Sequence, residues 1–343
     1  MQEKMLFYYD GLHNIGTPFA GASTAILGLS EKLVQIQNNF SIDITGDYIT
    51  KDEYYKGLRI LTLPIPDQRD WFLSCYDIVV FSIHLVFFST TKKKSGANWV
   101  LYQHCWGMEP RELSRLDDFD LIICLSQQQA KHIITQGVPP SKLAILPNAV
   151  DTERFRPIDI TRKAHSILFA GAVVPHKALH ILIEAFESLR RQIFYAELHI
   201  YGNAGLWFDN GAYESNLKKM CIDGVFFHEP VQHEDMPAIY SRHSVLCLPS
   251  TMESFGLVTV EAQACGCIPI IHDVGGTPST LDNGKTGFLY SPNNSQVLEQ
   301  ALLRALETIE VDPQIRNRAM EFVRNNFCIE TLAHNFIKCV QNK

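Results

Sequence analysis

Short apolar runs alternate along the chain with longer stretches whose apolar positions recur every three or four residues. In the first half the runs are KMLFYY (4–9), LRILTL (58–63), DIVVFS (77–82), NWVLYQ (98–103), DLIICLS (120–126) and KLAILP (142–147). Most are apolar nearly throughout, which predicts strands covered on both faces. Between several of them lie helical patterns, including 22–34 and 127–136. Strands alternating with helices predict a parallel α/β sheet.

A polar, proline-containing passage, NAVDTERFRPIDITRKAHS (148–166), interrupts the rhythm, and a domain linker is expected there. A second series follows: SILFAG (166–171), ELHIYG (197–202), VFFH (225–228), VLCLPS (245–250) and CIPIIH (267–272). Its first helix is marked by Leu179, Leu182, Ile183, Phe186 and Leu189 at helical spacing on one face. Beyond Val297 the pattern is helical with little interruption. The reading is two successive doubly wound domains, 1–150 and 151–320, followed by a helical terminal segment 321–343. Ligands of such sheets bind at the carboxyl ends of the strands.

Composition narrows the class. The chain has 343 residues, 46% apolar and 20% charged, enough for two cores. Its net charge of -7 lacks the basic footprint that phosphate-backbone binding needs, so no nucleic-acid partner is expected. Nine cysteines occur singly, several inside apolar runs such as Cys124 and Cys247, which suits reduced thiols. The start lacks a signal-peptide core, and no apolar run approaches the ~18 residues of a membrane span. A cytoplasmic protein is the expectation. LVFFSTTKKKS (85–95) joins an apolar run to three lysines, which suits peripheral contact with an anionic membrane as well as a buried strand end followed by a solvated loop.

The most informative stretch is LPSTMESFGLVTVEAQACGCIPIIHDVGGTPS (248–279). A strand ends near Pro249, a loop carries Glu253 and Gly256, and a helix begins close to Leu257. Helix N-termini present unpaired N–H groups and suit phosphate. Gly256 lets backbone approach a ligand. Glu253 and Glu261 flank the helix start, and each carboxylate can accept from adjacent sugar hydroxyls. Taken singly, either is also an ordinary surface glutamate.

That stretch resembles the donor-binding signature of the family 4 glycosyltransferases, Glu–seven residues–Glu within PS-x-x-ESFGLV-x-x-EA-x-A-x-G-x-x-P, followed by GG and DNGKTGFL. ILPNAVDTERFRP (145–157), ILFAGAVVPHKALHILIEAF (167–186), ELHIYGNAG (197–205) and VFFHEPVQHEDMPAIYSRHSVLCLPS (225–250) resemble the family's other signatures in order. The likeness covers roughly 120–310 well and the N-terminal part weakly. It implies a GT-B fold, two Rossmann-like domains facing across a cleft, a terminal helix in 321–343 that returns to the first domain, and retaining transfer from a nucleoside diphosphate sugar to an acceptor hydroxyl. It implies no metal in the site and no cofactor beyond the nucleotide-sugar co-substrate. Lys177 matches the lysine on donor phosphate, Glu253 the glutamate on sugar hydroxyls, and Glu261 the one on ribose. Ser254, Phe255, Gly256 and Leu257 match the backbone cradle between them. More loosely, Gly21 in FAGAST (19–24) resembles the glycine-rich loop after the first strand, and His104 the histidine near the reacting sugar. His13, with Asn14, and His84 end or follow N-domain strands and are candidates for the acceptor side, although each also fits an ordinary loop histidine. The family favours UDP-linked sugars, then GDP-mannose; the acceptor class (saccharide, lipid-linked or small metabolite) stays open.

Two positions depart from the pattern. The usual phosphate-loop arginine is Ala172, and the glycine after the lysine is Ala178. Losing a guanidinium removes a bidentate phosphate clamp. Lys177 and the helix N-terminus suffice, another cation such as His176 compensates, or the site is weak. A sugar-nucleotide epimerase or phosphorylase of the same fold, and a non-catalytic partner subunit, are the rival readings. A dinucleotide oxidoreductase is disfavoured because no Gly-x-Gly-x-x-Gly follows either first strand.

Overall fold

The computed structural model describes residues 2–9, 11–14, 21–36, 40–82, 93–94, 96–204, 211–220 and 223–341. They divide into two compact units, Met1–Ala149 with Ile329–Lys343, and Val150–Cys328.

In chain order the first unit contains β1 (Glu3–Tyr9), α1 (Gly21–Gln35), β2 (Phe40–Gly46), β3 (Glu53–Tyr55), β4 (Leu58–Thr62), α2 (Arg69–Ser74), β5 (Ile78–Ser82), β6 (Asn98–Gln103), α3 (Pro110–Leu113), β7 (Leu121–Cys124), α4 (Gln127–Thr135) and β8 (Leu143–Ile145). Among the described residues its strands form one sheet in the order β3-β4-β2-β1-β5-β6-β7-β8. Only the β3–β4 pairing in it is antiparallel. β5 and β7 are buried at every position, as their unbroken apolar runs require.

The apolar pattern missed β2, FSIDITG, because Asp43 breaks its run. That carboxylate is nonetheless buried at 3% exposure. Arg59 Nε donates to Asp43 Oδ1 at 2.8 Å, and the Tyr76 hydroxyl donates to Oδ2 at 2.7 Å. Partners from β4 and from the turn before β5 thus satisfy a charge that would otherwise be costly to bury.

The second unit contains β9 (Lys163–Ala170), α5 (Leu179–Arg190), β10 (Glu197–Tyr201), α6 (Ala212–Lys219), β11 (Val225–His228), α7 (Met236–Arg242), β12 (His243–Leu248), α8 (Leu257–Ala264), β13 (Ile268–His272), β14 (Phe288–Tyr290), α9 (Ser295–Val311) and α10 (Ile315–Asn326). Its strands run parallel in the order β11-β10-β9-β12-β13-β14. Numbered within the unit this is 3-2-1-4-5-6, the Rossmann order, whose direction reverses between β9 and β12. The predicted face of α5 fills the core: Leu179, Leu182, Ile183, Phe186 and Leu189 are at most 1% exposed. Burying each such side chain contributes roughly 1.5–3 kcal/mol.

α11 (Ile329–Gln341) ends the chain and belongs to the first unit. There Lys32 pairs with Glu330 at 2.5 Å, Phe336 stacks on Phe7, and Asn98 donates to the Val340 carbonyl. The chain changes unit at Ile329, so residues 321–328, expected to go with the terminal segment, stay in the second unit. Among the described residues no helix is long and apolar enough to cross a membrane.

Candidate active site

In the second unit the sheet reverses between β9 and β12, and ligands of such sheets bind in the crevice beside the loops that leave the carboxyl ends of these two strands. The first loop leads from Gly171 through the short helical turn Pro175–Lys177 into α5. The second carries Ser250–Gly256 into α8. They are tied together where they meet. The Thr251 N–H and hydroxyl donate to the His176 carbonyl at 2.8 and 3.1 Å. A third loop, after β13, joins through the Gly276 N–H, which donates to the Glu253 carbonyl at 3.0 Å.

Lys177 and Glu253 come together in this crevice. Lys177 Nζ lies 2.5 Å from Glu253 Oε2, with side chains 19% and 15% exposed. The Ser250 hydroxyl adds a longer contact of 3.4 Å to the same oxygen. Next comes Gly256, which caps α8 with φ +86° and no side-chain cap. The first N–H groups of α8 therefore lack a capping side chain, and they are suited to an anion. The side chains of Phe255 and Leu257 are buried, Phe255 edge-on to Phe327, so these two residues offer only backbone. Ser254, just before Phe255, is half-buried.

Just over one turn into α8, Glu261 is 3% exposed. His233 Nε2 lies 2.6 Å from its Oε1, and the Tyr240 hydroxyl donates to its Oε2 at 2.8 Å. Sequence reasoning missed both partners. His233 and Tyr240 stand in the quoted VQHEDMPAIY stretch, but nothing in their spacing marks them as aimed at a residue of a later helix.

Ala172 is exposed at the start of the phosphate loop. His176 does not replace the missing arginine as a cation. Burial, then the Lys177 charge, hold its imidazole below the ordinary histidine range, so it is neutral near pH 7. Ala178 takes a left-handed conformation, φ +50°, that explains a glycine preference at this position and costs an alanine about 1–2 kcal/mol.

Behind this loop, Gly202 allows a close approach: a Cβ there would sit 2.0 Å from the Gly171 carbonyl oxygen. Gly202→Ala is expected to lower the unfolding free energy by about 2 kcal/mol, since backbone must shift to relieve the overlap. Urea denaturation checks this, and an unchanged midpoint would refute it.

The first unit's candidates have different settings. His104 follows β6 and is 7% exposed. Its Nδ1 lies 2.7 Å from Ser82 Oγ and 3.0 Å from the Tyr102 carbonyl, and its Nε2 lies 3.2 Å from Asn148 Oδ1. Burial pushes its pKa down to about 4. His13 stacks on Tyr48 at 4.5 Å, and Asn14 bonds Thr50, Lys51 and Glu53. Gly21 opens α1 and is exposed; residues 15–20 before it lie outside the described residues, as do His84 and 85–92. Lys93 pairs with Asp120, and Lys94 donates to the Ser74 carbonyl at 2.9 Å, so these two lysines already have internal partners. Among the described residues no three His, Cys, Asp or Glu side chains are grouped to hold a metal ion.

The profile of "Glycosyl transferases group 1" matches residues 150–322, half of the chain and almost all of the second unit. The chain belongs to the group 1 glycosyl transferases. A second profile, "Glycosyltransferase Family 4", matches 59–154 in the first unit. A D-inositol 3-phosphate glycosyltransferase of Streptomyces bingchenggensis is 30% identical over 217 residues, 58% of this chain and 47% of the relative. The chain thus spans about half the length of this curated relative. Sucrose-phosphate synthase of Thermosynechococcus elongatus superposes with a TM-score of 0.80 at 18% identity, over 99% of this chain and 98% of that one. The Anabaena protein HepE, solved with UDP-glucose, does so with a TM-score of 0.80 at 17% identity, over 99% and 100%. At such identities the likeness is one of fold, and it makes this two-unit α/β architecture GT-B.

Proposed function

We propose that this family member transfers a glycosyl group from a nucleoside diphosphate sugar to an acceptor hydroxyl, with retention of configuration and without a metal in the site. The carrying observation is that Lys177 pairs with Glu253, that α8 begins just after it at Gly256 without a side-chain cap, and that Glu261 follows in the same helix. A cation and N–H groups suit the diphosphate, Glu253 suits the sugar hydroxyls, and Glu261 suits the ribose. A UDP-linked sugar is favoured, with GDP-mannose next; HepE, of the same fold, was solved with UDP-glucose.

Before a donor arrives, Lys177 and Glu253 satisfy one another. An entering diphosphate offers Lys177 a second anion and leaves Glu253 free to accept from sugar hydroxyls. As the glycosyl bond breaks, negative charge grows on the leaving diphosphate, where Lys177 and the α8 N–H groups are already aimed. Glu253 orients the sugar. His104, expected near the reacting sugar, is neutral near pH 7 and has both ring nitrogens engaged within the first unit, so no step is assigned to it. The leaving phosphate takes the acceptor's proton, so no side chain is needed as general base.

The test is a thermal-shift panel of UDP-, GDP-, ADP- and dTDP-sugars on wild type and Glu261→Ala. One donor is expected to raise Tm, and Glu261→Ala is expected to weaken its binding about 10- to 100-fold, as for a lost hydrogen bond to a charged acceptor. Equal binding by the variant would end the ribose assignment. No shift with any donor at millimolar concentration would favour a non-catalytic subunit.

A further inference from the structure

Glu261 is a buried carboxylate whose two oxygens are each held by the protein, and the chain of holders continues beyond them. The Tyr240 side chain is fully buried and stays a neutral donor, because burial and the Glu261 charge raise its pKa well above 10. His233 is the partner nearer solvent, its side chain 28% exposed. Its other nitrogen, Nδ1, lies 3.3 Å from Arg154 Nη2. A guanidinium only donates. Nδ1 must therefore accept, the ring proton sits on Nε2, and the 2.6 Å contact to Glu261 Oε1 is an N–H donation.

Arg154 is itself fixed. It comes from the turn after Asp151, whose Oδ1 accepts the Glu153 and Arg154 N–H groups at 3.0 and 3.3 Å. It pairs with Glu234 at 3.4 Å and lies over the Phe155 ring at 5.4 Å. Phe155, 3% exposed, packs in turn against the His233 ring at 5.0 Å. Each link takes rotamer freedom from the next.

We propose that Arg154, His233 and Tyr240 are positioning residues that fix the Glu261 carboxylate for a vicinal diol, and thereby set a preference for ribonucleotide over deoxyribonucleotide donors. This rests on the ribose reading of Glu261 given above. A carboxylate has about four lone-pair directions. Two are filled from the protein, by His233 on one oxygen and Tyr240 on the other, which leaves one direction on each oxygen for a pair of adjacent hydroxyls. A diol fills both, whereas a 2′-deoxyribose leaves one buried acceptor unpaired. Rejecting a ligand that lacks a hydroxyl is the more effective kind of discrimination, because the site's own polar group is left stranded.

The experiment measures dissociation constants by calorimetry for the ribo and 2′-deoxy forms of whichever of UDP, GDP and ADP gives the largest thermal shift. Wild type is expected to prefer the ribo form at least about tenfold, and Glu261→Ala to lose that preference. His233→Ala and Tyr240→Phe are expected to cut it to threefold or less. His233→Gln, which keeps an amide donor, should restore most of it. If wild type discriminates and Glu261→Ala does not, while His233→Ala and Tyr240→Phe keep the full ratio, the positioning chain is wrong and the ribose reading stands. If wild type shows no preference, if Glu261→Ala keeps it, or if no nucleotide binds, the ribose reading fails and the positioning chain with it. His233 lies nearest solvent, so its variants carry the test should Tyr240→Phe not fold.

Discussion

Replacing Lys177 by Met is expected to lower donor turnover about 100- to 1000-fold, the usual loss when one preorganised group facing developing charge is removed. Lys177 is the only cation at this point of the phosphate loop: the usual arginine is Ala172, and His176 is held neutral by its surroundings. The effect should fall mainly on turnover, because charge on the leaving diphosphate is greatest in the transition state. Glu253 adds a second component, since it loses its 2.5 Å partner and its carboxylate then repels the donor phosphates. Lys177→Arg should recover part of the rate, limited by the different reach of a planar guanidinium. The measurement is nucleoside diphosphate release from whichever nucleotide sugar gives the largest thermal shift, with water or a sugar as acceptor, alongside urea denaturation to show that the second unit is folded. Turnover within tenfold of wild type would mean that the α8 N-terminus alone stabilises the leaving group.

What the sequence revealed and what it hid follow from the range of the interactions involved. β5, β6 and β7 were readable because burial on both faces writes an apolar run into adjacent residues. α5 was readable because one buried face recurs at helical spacing. β2 was not, because its buried Asp43 is made tolerable by Arg59 and Tyr76, 16 and 33 residues away. β14, three residues long, is too short to carry any period. The site divides in the same way. Glu253, Gly256 and Glu261 fall in one stretch with a loop-to-helix signature. The ion pair between Lys177 and Glu253 spans 76 residues and appears only when the sheet brings the ends of β9 and β12 together. His233 and Arg154 had no local mark at all, since what defines them is the direction of a hydrogen bond. His13 shows the converse: its place after β1 suggested ligand contact, but its ring is stacked on Tyr48.

Acid is expected to destabilise both units well above the pH at which carboxylates titrate. In the second unit His243 is 1% exposed and its Nδ1 contacts the Ser166 hydroxyl, while its Nε2 has no hydrogen-bond partner among the described residues. Burial first, then the charges of His199, Lys163, Arg242 and His228, push its pKa down to about 3. Its neighbours across the sheet do not relieve it. His199 and His228 are themselves lowered mainly by burial, and Glu197 is already engaged with Lys163 and His199. His104 plays the same part in the first unit, lowered to about 4 by burial. The sign follows directly. With folded pKa values below the unfolded value near 6.5, the unfolded chain takes protons first, so stability is complete above that value and is lost as pH falls toward 4 and then 3. Between pH 6.5 and 4.5 each histidine withdraws about 2–3 kcal/mol, a large share of a domain's 5–15 kcal/mol. Urea titrations of wild type and His243→Leu at pH 7, 6, 5 and 4.5 check this. The wild type should weaken steadily over the range, and the variant should show a shallower slope for the second unit's transition even if it starts less stable. Equal slopes would mean that His243 takes up its proton without unfolding, through water reaching its tilted ring contact with His199.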